Sequence, residues 1–249
     1  KMKNQKAAKI NKLLEDADLL LCQAALNTHP WPAIGFGVVA EQAIEKYDEI
    51  LNLDGRNQWA LIERGIAQLV KGENLDLART NFEKAEKIGP DFYPMLYLKS
   101  KVNEQYGKEG LKDVNLINIQ TLKSKEAYVL GFLALQQANP PENEREAKEL
   151  FSICVEKDSN FFPGLVAKAF VNVTSGEDNI GESQTLCNLK PNSAFVHLLI
   201  GHSISLLKNR RNEAIAPYKR ALELQPWNPQ CYNLLGSTYE EVGIYEDAE

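Results

Sequence analysis

The stretch "EAIAPYKRALELQPWNPQCYNLLGSTYEE", residues 213–241, decides the fold. It reads as one helix, a break at Pro226-Trp227-Asn228-Pro229, and the start of a second helix. Ala214, Tyr218 and Ala221 follow one another at steps of four and three, which sets a small, a large and a small residue on one helical face. A ring without a backbone N–H cannot carry the helix past Pro226. Asn228 is placed to cap the next helix, and Pro229 suits its first turn. Pro217 falls inside the first helix near its start, where a slight kink is expected.

The pattern recurs upstream. Glycines inside amphipathic runs stand at Gly65, Gly131, Gly201 and Gly236, spaced by 66, 70 and 35 residues, which is two, two and one times a period of about 34. The small–aromatic–small ladder recurs at Ala43, Tyr47 and Ile50, at Ala78, Phe82 and Ala85, and at Ala147, Phe151 and Cys154. A small residue beside a large one is what a second helix needs to nest closely against a first. Proline punctuates again at Pro90 and Pro191.

Together these residues resemble the tetratricopeptide repeat (TPR), whose helix-turn-helix unit carries W-x2-L-G-x2-Y, then A-x3-F, then P. The best match is Tyr232, Leu235, Gly236 and Tyr239, followed by Ala248. The resemblance implies an all-α solenoid, a right-handed superhelix of antiparallel helix pairs forming one domain over residues 1–249. Its units fall at 6–57, 58–92, 93–123, 124–161, 162–193 and 194–228, with a partial unit from 229. The third and fifth depart from the pattern. Ser100 replaces the glycine in the third, where "LKDVNLINIQTLKS" must supply the second helix. "SGEDNIGESQTLCNLKPN" lacks the ladder in the fifth, so a bent or shortened second helix is expected. "NTHPWPAIGFG" and "ANPPENERE" are expected to be surface loops. Because each repeat covers its apolar face only with its neighbours, Leu234, Leu235 and Val242 call for more chain after them, and a fragment of a longer protein is expected.

In this family the second, fifth and ninth positions of each first helix face a concave groove. Carried over, the alignment gives Trp59, Ile62 and Ile66; Pro94, Tyr97 and Lys101; Lys125, Tyr128 and Phe132; Pro163, Val166 and Phe170; Phe195, Leu198 and His202; and Gln230, Asn233 and Ser237. All but the last set are strongly apolar. At roughly 25 cal/mol per Å² of exposed apolar area, such a lining needs a cover. The resemblance therefore implies a non-catalytic scaffold that grips an apolar helix or extended segment of a partner within a hetero-complex. The bland alternative is that superhelical coiling, or the chain's own first helix, fills the groove. A further alternative is a regulatory repeat region of an enzyme whose catalytic domain lies elsewhere. A clamp for a C-terminal carboxylate is disfavoured, since Ile62, Ile66, Tyr97 and Tyr128 stand where lysine and asparagine are needed.

Composition narrows the classes. With 44% hydrophobic and 25% charged residues the chain can build a core. A net charge of −6 repels phosphate backbones and anionic membranes, so neither nucleic acid nor membrane is expected as a partner. Cys22, Cys154, Cys187 and Cys231 stand far apart, which suits reduced core thiols and a cytoplasmic or nuclear location. "GFGVVAEQ", residues 35–42, imitates a phosphate-binding turn, but His29-Pro30-Trp31-Pro32 stands where the preceding strand should be. His197 and His202 lie on different faces of one helix. No cofactor or metal site is expected.

Overall fold

The computed structural model describes residues 2–26, 36–72, 75–89, 119–135, 140–176, 179–207 and 209–244. Within them the chain is helical, and no strand occurs among the described residues. The helices are α1 (Met2–Leu26), α2 (Phe36–Leu53), α3 (Gln58–Lys71), α4 (Leu75–Ile88), α5 (Ser124–Leu135), α6 (Pro140–Lys157), α7 (Phe162–Thr174), α8 (Ile180–Leu189), α9 (Ala194–Ser205), α10 (Ile215–Leu224) and α11 (Pro229–Val242). Successive helices pack as pairs, α1 on α2, α3 on α4, α5 on α6 and α9 on α10. The third unit's groove positions, Ser100 and residues 111–118 of the stretch expected to supply its second helix lie outside the described residues; Ile119–Thr121 form a 3-10 turn.

The period comes from a notch and a ring. A Cβ added at Gly65 would come within 2.3 Å of the Phe82 ring, at Gly131 within 2.5 Å of Phe151, and at Gly201 within 2.5 Å of Tyr218. Each glycine on a first helix thus receives the ladder aromatic of the second helix, and any larger residue would hold the two apart. The three rings are buried, which contributes roughly 1.5–3 kcal/mol apiece.

Helix ends follow local chemistry. Asn57 Oδ1 accepts from the Ala60 amide at 3.0 Å at the start of α3. Gly72, at φ +77°, ends that helix in the left-handed region, which side-chain-bearing residues avoid. Asn228 Oδ1 accepts from the amides of Gln230 at 3.0 Å and Cys231 at 3.4 Å, with Pro229 in the first turn of α11, as expected. Pro217 does not kink a helix. A 3-10 turn at Arg211–Ala214 precedes α10, which starts only at Ile215, so Pro217 occupies a first-turn position where no helical N–H is required. The stretch expected to loop at 138–146 is also corrected: α6 begins at Pro140, with two prolines at its start. The other expected loop, at 27–37, lies outside the described residues up to 35; α2 has begun by Phe36. In the fifth pair α8 spans only 10 residues. Polar contacts replace the missing ladder there: Asn179 Nδ2 donates to the Ala169 carbonyl at 2.9 Å, and the Ser183 and Ser203 hydroxyls meet at 3.1 Å.

The described residues divide into two compact units, one running to Gly164 and the other from Leu165 onward. In the first, α1 packs on α2 and α3, α3 on α2 and α4, and α5 on α6. Tyr128 makes edge contacts with Phe132 at 4.8 Å and Phe161 at 5.1 Å between ring centroids, and Phe132 meets Phe151 at 5.1 Å. In the second, α9 is the central helix, packed by α8 and α10, with α11 against α10.

Candidate functional site

Most of the apolar lining expected of the first helices is interior, covered by the protein itself, and does not form an open groove at these positions. Ile62 and Ile66 on α3 and Tyr128 and Phe132 on α5 are fully buried in the first unit. Val166 and Phe170 on α7 and Phe195 and Leu198 on α9 are buried in the second. The reason is that a first helix has neighbours besides its hairpin partner. In the first unit the chain's own α1 lies against α3 and reaches α5 through Asp18. In the second, Leu198 packs with Ala221 of α10 and Cys231 of α11. Trp59 and His202 are half-buried. Burial lowers the His202 pKa from its usual value, and its Nδ1 is enclosed without a hydrogen-bond partner. Asn233 and Ser237 are exposed on α11, whereas Tyr97 and Lys101 lie outside the described residues.

Inside the first unit the structure joins Lys125 to two acids that the sequence did not single out. Lys125 Nζ on α5 lies 2.9 Å from Asp18 Oδ2 of α1 and 3.0 Å from Glu63 Oε2 of α3. The side chains of Asp18 and Glu63 are 2% and 0% exposed, and that of Lys125 21%. Tyr47 of α2 donates to Asp18 Oδ1 at 3.3 Å, and Tyr128 donates to the Asp18 backbone carbonyl at 2.7 Å. The ammonium also lies 5.3 Å from the centroid of the Trp59 ring, within cation–π range. Burial raises Glu63 well above the usual carboxylate range; the negative charge of Asp18 adds to this and Lys125 partly offsets it. Burial by itself would lower Lys125, but the two carboxylates outweigh it and hold it above its ordinary value. Four helices are tied at one point by three ionisable side chains and two hydroxyls. Alignment had already picked out Lys125. The signal for its partners was an acid amid apolar neighbours: Asp18 stands four residues from both Leu14 and Cys22, and Glu63 between Ile62 and Gly65.

A second feature lies on the surface of the other unit. Trp227 is 77% exposed and Tyr232 55%. The Tyr232 hydroxyl donates to the Pro226 carbonyl at 2.9 Å, so its ring leans on the turn that carries Trp227. Among the described residues no group of three or more His, Cys, Asp or Glu stands together as a metal site, and no helix is long and apolar enough to cross a membrane. The thiols of Cys22, Cys154 and Cys231 are buried and free, and that of Cys187 is free and half-exposed.

Residues 204–243 match the family model of the TPR repeat. No curated protein matches the chain in sequence. Among solved structures it is similar to yeast Tom70, at 13% identity and a TM-score of 0.53 over 85% of this chain and 46% of that one; it spans just under half of that chain's length. It is also similar to YrrB, described as a TPR protein with an unusual peptide-binding site, at 17% identity over 80% of this chain and 88% of that one, TM-score 0.42. A third is PilW, a type IV pilus biogenesis factor, at 14% identity over 93% and 88%, TM-score 0.45. Within the described residues the chain is all-α and built of helix pairs, with the tetratricopeptide match at residues 204–243.

Proposed function

We propose that this helical-repeat chain is a non-catalytic scaffold that binds an apolar helix or extended segment of a partner protein within a hetero-complex. The observation that carries the reading is the aromatic patch at the α10–α11 turn, where Trp227 and Tyr232 stand exposed beside Pro226. Tryptophan and tyrosine dominate the energetics of protein interfaces, and side by side on a surface they offer a rigid anchor. Exposed Asn233 and Ser237 on α11 supply polar groups near it. The buried positions Ile62, Ile66, Tyr128, Phe132, Val166, Phe170, Phe195 and Leu198 serve this function indirectly, by holding the first helices in place. The free thiols and the charge of −6 fit a reducing compartment, cytoplasm or nucleus, and a protein partner in preference to nucleic acid or membrane.

The test is a photo-crosslinking amino acid at position 227 of the full chain, paired with a Trp227→Ala/Tyr232→Ala variant in pull-downs. One protein should crosslink at that site and be lost from the double variant, while the circular dichroism melt stays unchanged. Undiminished capture by the double variant would refute the patch as the anchor.

A further inference from the structure

The cluster at Asp18, Glu63 and Lys125 has one cation for two enclosed carboxylates. With both acids ionised the site holds a net charge of −1 away from water, which is costly unless paired or neutralised. Hydrogen bonding is uneven as well. Asp18 uses both carboxylate oxygens, one toward Tyr47 and one toward Lys125. Neither oxygen of Glu63 has a well-directed hydrogen bond, although Oε2 sits 3.0 Å from the ammonium. An ionised carboxylate can only accept, whereas a protonated one gains an O–H to donate. Asp18 is the acceptor at hand: both acids close on the same Nζ, and a hydrogen bond between the two carboxyl groups is among the causes that raise Glu63.

We propose that Glu63 carries a proton in the native state and shares it with Asp18, so that the junction of α1, α3 and α5 is a proton-held clasp that loosens when the proton leaves. The titratable groups gathered around it are Asp18 and Cys22 from α1, Tyr47 from α2, Lys125 and Tyr128 from α5, and Cys154 from α6. Burial lifts both thiols and both phenols above their usual values, so through neutral pH Lys125 remains the counter-cation and Glu63 is the group that changes. The sign follows from linkage. Glu63 binds its proton more tightly folded than unfolded, so its stabilising contribution is complete below the ordinary glutamate range and declines as pH rises through the folded value. Loss of the proton leaves two anions against Lys125, and α1, which carries Asp18, is the helix released from α3 and α5.

The experiment compares the full chain with Glu63→Gln, a neutral isostere of the protonated acid, from about pH 5 to about pH 9. The melting midpoint of the native chain should fall relative to the variant as pH rises; other groups titrate in both proteins and cancel in the difference. Labelling of Cys22, one helical turn from Asp18, should accelerate with pH more in the native chain than in the variant. A protonated-carboxyl band should appear in the infrared spectrum of the native chain at neutral pH and be missing from the variant. Parallel midpoint curves, absence of that band, or a variant that does not fold would each overturn the proposal, the last because a neutral side chain is held here to be the native form.

Discussion

Replacing Gly201 by alanine tests the nesting on which the fold rests. The new Cβ would stand 2.5 Å from the Tyr218 ring, against about 3.5–4.0 Å for comfortable carbon contact. More than an ångström must be found by moving a ring that is fully buried. Overpacking of that severity falls near the upper end of the usual 1–3 kcal/mol, while alanine recovers up to about 1 kcal/mol of helix propensity. The net loss is about 2 kcal/mol, or a midpoint lower by roughly 4–8 °C for a chain of this size. Gly181 is the control: it is also helical but has nothing within 4 Å of an added Cβ, so alanine there should stabilise by about 0.5–1 kcal/mol. Urea titration and thermal circular dichroism of the two variants should therefore move in opposite directions. Smaller Tyr218→Leu should shrink the Gly201→Ala penalty in a double-mutant cycle. A Gly201→Ala variant as stable as the native chain, or an additive cycle, would refute the notch-and-ring account.

Other outcomes follow from burial. Phe132→Asp puts a charge among Tyr128 and Phe151 in a fully enclosed site, and should cost more than about 4 kcal/mol and melt the first unit; a variant that keeps its helicity would return Phe132 to a solvent-facing role. Thiol labelling followed by mass spectrometry should find Cys187 first, because burial pushes Cys154 up to about 11 and Cys231 up to about 12. Equal rates at Cys187 and Cys231 in the native state would contradict that order.

Much of the fold was legible because spacing and sterics coincide. The glycine and ladder positions were visible as residue types at helical intervals, and the structure joins them ring to notch. The break between α10 and α11 followed from the proline and asparagine punctuation at 226–229, whose local chemistry acts within a few residues. Two errors came from local ambiguity. Pro217 could lie within a helix or in its first turn, and only the 3-10 turn before it decides which. The prolines at 140 and 141 mark a loop or a helix start with equal force. The candidate site was harder to see. Apolar residues at groove positions are chosen alike for a guest and for the protein's own packing, so Ile62 and Phe132 gave no hint of their burial. The Asp18–Lys125 pair joins residues 107 apart, and no periodic rule links them.

The three interlocked hairpins differ in one respect. The aromatic ring arrives 17 residues after its glycine at Gly65–Phe82 and Gly201–Tyr218, but 20 after it at Gly131–Phe151. Contour length between the two helices is thus free to drift so long as the ring comes home to the same vacancy. Residues added between a glycine and its ring should therefore leave that contact in register, which makes these connections natural places to graft a tag or a recognition loop.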